Sequence, residues 1–192
     1  MRDRNLYPKG AAKRDEILGV TLEIFGREGE RATTLRRVAG ESGISLTGLM
    51  HYFASKDDLL TEVLRAGDEA AEARYRSPGA ESDPGEFLAR ALTANAANLP
   101  RIRLYVTLAA ASIDPAHPAH TYFRKRFALL RDGIAEHVVT EQGEGRAAPG
   151  LDPRFAASAL IAASDGIQLQ WLSDPSIDMA AHVRRVWRAL LA

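Results

Sequence analysis

Helical periodicity runs through almost the whole sequence, and it constrains the fold more than any other feature of the chain. Alanine and leucine are abundant, whereas alternating β-branched runs bounded by turn residues are missing. Within residues 13–27, apolar side chains recur at spacings of three and four residues, as they do on one face of an amphipathic helix. We therefore predict an all-α fold.

Helix-capping residues, glycines and prolines divide this pattern into separate helices. The first four predicted helices cover about 13–27, a short segment after Thr33 or Thr34, 46–53 and 56–76. Gly29 ends the first helix, and Gly43 suits a left-handed turn between the second and the third. Beyond the Pro- and Gly-containing loop at 77–85, further helices are predicted at about 86–99, 101–113, 118–141, 153–173 and 177–191.

Composition excludes several kinds of site. The 192 residues include no cysteine, so there is no disulfide, no thiolate metal ligand and no cysteine nucleophile. The 25 basic side chains balance 25 acidic ones, which argues against a histone-like, non-specific DNA binder but is compatible with a specific one. No apolar run reaches the length of a signal peptide or a membrane span, and we expect a cytoplasmic protein.

Basic side chains are concentrated in the N-terminal tail. Residues 1–14 hold five of them, against a single acid: Arg2, Arg4, Lys9, Lys13 and Arg14. Such a tail can follow a DNA backbone or enter a minor groove. A solvated terminus without a partner explains the same composition equally well.

The segment 33–56, TTLRRVAGESGISLTGLMHYFASK, predicts a helix-turn-helix. Two short helices joined by a Gly-containing turn can place the second helix in a major groove of DNA. Five apolar residues can close one small core: Val38, Ala39, Ile44, Leu49 and Phe53. This leaves another five to face outward: Leu46, Thr47, Gly48, Met50 and His51. By pattern alone, a helical hairpin within a larger bundle fits the segment as well as a DNA-binding unit does.

Residues between Ile17 and Leu60 match a known family at many positions. The matches are Ile17-Leu18, Phe25, Gly29, Thr33-Thr34-Leu35-Arg36, Val38-Ala39, Gly43-Ile44-Ser45 and the LMHYFASK run of 49–56 with the Asp-Asp-Leu-Leu after it. Without an insertion, this stretch resembles the DNA-binding domain of the tetracycline-repressor (TetR) family of bacterial transcription regulators. The resemblance implies a two-fold homodimer. Residues 1–55 would bind DNA, 56–83 would connect the domains, and 84–192 would bind an effector and dimerise.

The resemblance also implies a set of DNA-contacting positions. They are Thr34, Arg36, Ser45, Leu46, Thr47, Gly48, Met50, His51, Tyr52 and Lys56. Lys56 opens the fourth predicted helix, where an ammonium group and backbone N–H groups can converge on one phosphate. Many family members carry Tyr where this chain has Met50. Methionine can touch a thymine methyl group, but it cannot donate a hydrogen bond to phosphate.

The last two predicted helices carry more apolar surface than one helix face needs. Pairing them across a two-fold axis would make a four-helix interface. The residues predicted for this dimer interface are Leu160, Ile167, Leu172, Val183, Val186, Trp187 and Leu190.

Four polar-tipped side chains interrupt otherwise apolar helices in the second half of the chain: Asn95, Tyr105, Gln168 and Trp171. We predict that they line a pocket among the fifth to eighth helices for a small, mostly apolar effector. Ordinary core, with each polar tip bonded to a neighbour, is the alternative. No isolated charged residue stands out on these helix faces, so the sequence leaves the charge of the effector open.

Metal binding and catalysis find little support. Asp114, His117 and His120 are suitable metal ligands, but Pro115 and Pro118 indicate a turn there rather than a ligand-bearing helix. Dinucleotide-binding, phosphate-loop and nucleophile-elbow motifs are missing, so no enzyme is predicted.

These expectations describe a repressor. We predict a DNA-binding transcriptional regulator that a small-molecule ligand releases from a palindromic operator. Its expected partners are double-stranded operator DNA, a second copy of the chain and a small-molecule effector, with no membrane, metal or cofactor. The alternatives are a helical-bundle enzyme and a protein-binding adaptor without specific DNA binding.

Overall fold

A computed structural model describes residues 8–75 and 83–192, and these ranges are helical, as the sequence predicts. The helices are α1 (Pro8–Ala32), α2 (Leu35–Glu41), α3 (Leu46–Tyr52), α4 (Lys56–Tyr75), α5 (Pro84–Ala96), α6 (Leu99–Ala111), α7 (Pro118–Gly143), α8 (Pro153–Trp171) and α9 (Met179–Leu191). None of the described helices is both long enough and apolar enough to cross a membrane.

Local chemistry places the ends of the short helices. The Thr34 hydroxyl accepts a hydrogen bond from the Arg37 amide at 3.3 Å and caps α2. The Ser45 hydroxyl accepts one from the Gly48 amide at 3.0 Å and caps α3. Gly43 has a φ of 65°, which confirms the predicted left-handed turn between these helices.

The first helix is longer than its apolar periodicity indicates. It begins at Pro8 rather than near Lys13, and it continues to Ala32 through a kink at Gly29, where φ is 79°. A proline at the first helical position loses no hydrogen bond, because the amide there has no helical partner anyway. Gly29 therefore marks a break in the helix, close to the end that the sequence predicts.

Two side chains of the predicted basic arm belong to the folded unit, which corrects that expectation. The Lys13 ammonium donates to the Ser42 carbonyl oxygen at 2.6 Å. The Arg14 guanidinium pairs with Glu62 of α4 and lies 5.7 Å from the centroid of the Phe53 ring. These contacts hold α1 against the rest of the N-terminal helices. Arg2, Arg4 and the Lys9 side chain lie outside the described residues.

Two hydrophobic cores share the middle helices of the chain. The first core joins α1–α4 to α6 and to the start of α7 through Leu104, Leu108, Tyr122 and Phe123. The second core joins α5, α6, α7, α8 and α9. Because α6 and α7 contribute to both, the N-terminal helices pack directly on helices of the C-terminal half.

The second core buries four of the residues predicted for a dimer interface, so that part of the prediction is wrong. Leu160, Ile167, Val183 and Trp187 are almost fully covered by their own chain. The reason is that α5 and α7 pack against α8 and α9 and use the apolar surface assigned to a partner. The Trp187 indole N–H, for example, donates to the Asp83 carboxylate at 2.7 Å. The other three predicted residues, Leu172, Val186 and Leu190, are half-buried.

Candidate DNA interface and effector cavity

The helix-turn-helix predicted from the sequence is formed by α2 and α3. Val38, Ala39, Leu49 and Phe53 are buried and hold the two short helices together. The opposite face of α3 keeps large apolar side chains in solvent, since Met50 is 53% exposed. A short helix with one buried and one exposed face, capped by a hydroxyl, is suited to enter a major groove with the exposed face.

Most of the predicted DNA-contacting residues lie on the exposed surface around α3. Those exposed are Thr34, Arg36, Ser45, Leu46, Thr47, Met50 and His51. The remaining three, Gly48, Tyr52 and Lys56, are half-buried. Seven of the ten residues that the family resemblance implies are therefore exposed to a partner.

Lys56 has a structural partner that the sequence does not indicate. Its ammonium donates to the carbonyl oxygen of Glu30 at 2.7 Å and lies 3.5 Å from the Glu30 carboxylate. It thus ties the start of α4 to the last turn of α1. An ammonium group has three N–H donors, so this contact leaves capacity for a phosphate oxygen.

Arg36 and Arg37 are neighbours in sequence but differ in their surroundings. Arg37 pairs with Glu41 at 3.0 Å and also with Glu28, and these hydrogen bonds raise the pKa of its guanidinium above the ordinary value. Arg36 is exposed and makes no ion pair with any described residue. Of the two, Arg36 is the one with its charge available to DNA.

Three of the four predicted effector-binding residues line one small cavity of about 40 Å³: Asn95, Tyr105 and Gln168. Hydrogen bonds link their polar tips to neighbours. The Asn95 amide donates to the Gln168 side-chain oxygen at 3.3 Å, and the Tyr105 hydroxyl donates to the Asp165 carboxylate at 2.9 Å. Burial raises the pKa of Tyr105 and of Asp165. The fourth residue, Trp171, lies elsewhere and packs against the second core.

A larger cavity of about 560 Å³ adjoins the first, between α4, α5, the start of α6 and α7. The carboxylate of Asp68 stands in its wall. It pairs with Arg101 at 2.9 Å and also with Arg126, and it accepts a hydrogen bond from the Tyr122 hydroxyl. Asn95 lines both cavities.

These charges correct the expectation that no charged residue stands out on the pocket helices. A signal for one of them is present in the sequence. Asp68 follows the buried residues Leu60 and Leu64 at a spacing of four, which places it on the same inward face of α4. No comparable signal identifies which helix would supply its partners.

Comparisons with known proteins agree with this geometry. Residues 17–63 match the family described as "Bacterial regulatory proteins, tetR family". The HTH-type transcriptional repressor KstR2 of Rhodococcus jostii is 30% identical over 132 residues, which cover 69% of this chain and 55% of that protein. The helix-turn-helix region of the chain, residues 17–63, therefore belongs to the TetR family. KstR2 of Mycobacterium tuberculosis is 40% identical over 65 residues, 34% of this chain and 32% of that repressor.

The alignments thus span between about a third and about half of the length of these curated TetR-family relatives. Solved structures extend the likeness of fold to almost the whole chain. A putative TetR-family regulator from Rhodococcus sp. has a TM-score of 0.77 at 22% identity, covering 94% of this chain and 100% of that one.

Two further structures contain small molecules. A putative regulator from Saccharomonospora viridis in complex with choline has a TM-score of 0.71 at 21% identity, covering 93% of this chain and 95% of that one. The SmeT–triclosan complex has a TM-score of 0.72 at 18% identity, covering 94% and 90%. At these identities the likeness shows the fold alone.

The His-containing loop at residues 114–120 is held by contacts to nearby backbone groups. Nδ1 of His117 accepts from the Ala119 amide at 3.1 Å and caps α7, and Nδ1 of His120 lies 2.9 Å from the Ser112 carbonyl oxygen. Asp114 accepts from the Ala116 amide at 2.9 Å. Across residues 8–75 and 83–192, no group of three or more His, Cys, Asp or Glu side chains is placed to hold a metal ion.

Proposed function

We propose that the chain is a transcriptional repressor that binds a palindromic operator and leaves it when a small molecule occupies the cavities beside α4. Residues 1–55 would bind double-stranded DNA, 56–83 would connect, and 84–192 would bind the effector and dimerise. The observation that carries the proposal is the exposed face of α3 in a TetR-family domain. The proposed place of action is the cytoplasm, and no catalytic role is part of it.

The exposed face of α3 supports sequence-specific contacts. Leu46 and Met50 lie one helical turn apart, as do Thr47 and His51, so the face presents apolar tips beside hydrogen-bonding groups. Apolar tips suit the methyl groups of thymine, and the hydroxyl and imidazole groups suit base edges. Arg36 supplies a positive charge for a phosphate.

Dimerisation is required by the proposal, because one helix-turn-helix covers only half of a palindrome. The exposed residues that remain on α8 support a revised interface. Two large apolar side chains on one face of the helix, Phe155 and Leu169, are exposed. Small residues lie between them on the same face: Ser158, Ala162 and Gly166. Large apolar side chains flanking small ones would let the helices of two copies approach closely. This face replaces the buried residues that the sequence suggested.

The α4 helix supports communication between cavity and DNA, since it lines the cavity and also contacts the N-terminal helices that include the helix-turn-helix. Asp68 lies in the cavity wall, and Glu62 of the same helix pairs with Arg14. The guanidinium of Arg14 lies over the ring of Phe53, the residue that follows α3. A ligand that lowers operator affinity a hundredfold must prefer one arrangement of the dimer's two DNA-binding domains over the other by about 2.7 kcal/mol.

Selection of DNA from a random pool by the wild-type protein tests this function. We expect an inverted repeat whose half-sites are about 34–36 Å apart, or a multiple of that distance. Thr47→Ala or His51→Ala should change base preference within the half-site. A pool that yields no inverted repeat would contradict the proposal.

Arg36→Ala gives a second, quantitative test. We expect uniformly weaker binding to all sequences and a salt slope reduced by about one unit, because one phosphate contact is lost. Arg154→Ala is the matched control, since its side chain is 76% exposed on α8, away from α3. Lys56→Ala should also weaken binding, but it removes the contact to Glu30 as well, so its effect mixes two causes.

A further inference from the structure

We propose that the effector is an amphipathic organic acid, and that its carboxylate binds Arg126 in the larger cavity in competition with Asp68. The inference rests on the proposed function, because it names the chemical class of the ligand for the same cavity. It goes further than the sequence prediction, which left the charge of the effector open.

The walls of the larger cavity carry more positive than negative charge. Four basic side chains line it, against two acidic ones: Arg65, Arg101, Lys125 and Arg126, with Asp68 and Glu69. Arginine and lysine side chains have only hydrogen-bond donors, so a ligand group that meets them has to accept hydrogen bonds. An excess of positive charge favours an acceptor that is negatively charged.

The donors in this wall have too few acceptors among the described residues. One carboxylate, that of Asp68, serves two guanidinium groups and a phenol hydroxyl. The Nε atom of Arg126 is buried and has no hydrogen-bond partner. Lys125 makes no ion pair in the described part of the chain. A second carboxylate in the cavity would satisfy donors that the protein itself leaves unpaired.

The nearby acid Asp165 does not meet this need. Its carboxylate accepts a hydrogen bond from the Tyr105 hydroxyl in the smaller cavity. Burial of this carboxyl group raises its pKa. It makes no ion pair with Arg126, whose carboxylate partner among the described residues is Asp68.

The cavity wall also has an apolar part, which fits the body of such an acid. Phe87, Leu88, Ala91 and Leu130 line the cavity, and Leu129, 69% exposed, also borders it. A volume of about 560 Å³ lies within the range of small-molecule sites. An organic acid with an apolar body would place its head at Arg126 and its body against α5 and α7.

Competition with Asp68 connects this chemistry to α4. In the structure, Asp68 holds α4 to α6 through Arg101 and to α7 through Arg126. A ligand carboxylate that takes up these guanidinium groups weakens that attachment. The ligand would then bind with a different affinity when α4 is attached to α6 and α7 through Asp68 than when it is not. Such a difference is required for any effect of the ligand on the DNA-binding helices.

Three matched probes test the assignment with the full-length protein by calorimetry: 4-phenylbutyrate, its amide and the corresponding amine. We expect the carboxylate to bind and the amide and amine to bind about tenfold more weakly or worse, because a hydrogen bond to a charged group contributes roughly that factor. Equal binding of the three, preference for the amine, or no binding of the carboxylate would overturn the assignment.

Variants identify the site. Arg126→Gln should weaken carboxylate binding about tenfold and leave amide binding unchanged, whereas Arg126→Lys should restore part of the difference. Asp68→Asn should tighten carboxylate binding, since it removes the competing charge. The exposed residue Arg154, changed to Gln, is the control and should behave as wild type. Equal carboxylate affinity in Arg126→Gln, or weaker affinity in Asp68→Asn, would overturn the proposal. Circular dichroism checks that each variant is folded.

The two proposals fail separately. Wild-type protein that selects no palindrome yet prefers the carboxylate contradicts the proposed function and leaves an acid-binding cavity in place. Wild-type protein that selects a palindrome but does not distinguish the three probes retains the proposed function and contradicts the assignment of an acidic effector.

Discussion

At the scale of single residues, Glu86 near the start of α5 is held by two arginines. Its carboxylate accepts two hydrogen bonds from Arg184 of α9, at 2.6 and 2.9 Å, in a bidentate ion pair. It accepts another from Arg90 of the next helical turn at 3.1 Å. The hydrogen bonds from Arg184, followed by those from Arg90, lower the pKa of Glu86 from 4.5 to about 2. The ion pair ties the beginning of α5 to α9.

This pKa predicts how stability depends on pH. Because the folded pKa lies below the unfolded one, the contribution of Glu86 is complete above pH 4.5 and is lost as the pH falls towards about 2. Glu86→Gln should lower the free energy of unfolding by about 1 kcal/mol or less at neutral pH, since the pair is partly exposed. Urea unfolding should show that the difference from wild type disappears near pH 2.

Asp132→Asn is the control for that series, because its exposed carboxylate lies 3.5 Å from an exposed arginine and has no second partner among the described residues. The difference between this variant and wild type should stay small across the same pH range. A Glu86→Gln difference that is constant from neutral pH to pH 2 would show that Glu86 does not act through its charge.

At the scale of helices, the crossing of α5 and α9 depends on a missing side chain. A Cβ atom at Gly85 would collide with the ring and the Cβ of Trp187. Gly85→Ala should therefore separate the two helices and lower the free energy of unfolding by about 1–3 kcal/mol. Chemical denaturation measures the change.

Gly133→Ala provides a matched comparison on α7. Nothing lies within 4 Å of a Cβ placed there, and the residue is exposed. The substitution should raise stability by about 0.5–1 kcal/mol, because alanine has the higher helix propensity. If both alanines changed stability in the same direction, close packing at Gly85 would not be the cause.

The helices themselves were predictable because their ends carry local signals. Thr34, Ser45 and Gly43 act through their nearest neighbours, and the structure confirms the roles that their positions suggest. The start of α1 was not predicted, because residues 8–12 lack apolar periodicity and only Pro8 indicates a beginning. The helix ends that depend on contacts between sequence neighbours were therefore the part of the fold that the sequence predicted most reliably.

Contacts between distant helices were less predictable. The apolar pattern of α8 and α9 shows that Leu160 and Trp187 are covered, but not that α5 and α7 cover them. In the same way, the pattern indicates that Asn95 and Gln168 face inward, and they do meet. It does not indicate that Arg126 would meet Asp68, since that pairing depends on the packing of α4 against α7.

At the scale of the whole molecule, the proposed dimer depends on the exposed face of α8. Leu169 is 56% exposed, so Leu169→Asp should leave the folded chain intact. Across a two-fold axis, however, the same aspartate would be buried without a partner, which is costly. We expect the variant to sediment as a monomer with wild-type circular dichroism and greatly weakened operator binding.

Two other substitutions to aspartate complete that experiment. Ile113→Asp changes a residue that is 82% exposed outside α8 and should leave the association unchanged. Trp187→Asp should unfold the chain rather than dissociate it, because Trp187 is part of the second core. A Leu169→Asp protein that still sediments as a dimer would place the interface elsewhere.

The first core, which joins α1–α4 to α6 and α7, also bears on how such chains diversify by recombination. A crossover after residue 55 would bring a foreign α6 beneath α1, and the N-terminal helices would lose Leu104 and Leu108, with which they share this core. Keeping these partners together requires two separate segments of the chain, which one contiguous exchange between genes cannot carry. Point substitutions at Met50 or His51 leave this core untouched. New operator preferences should therefore evolve more readily by mutation on α3 than by the transfer of a whole DNA-binding domain.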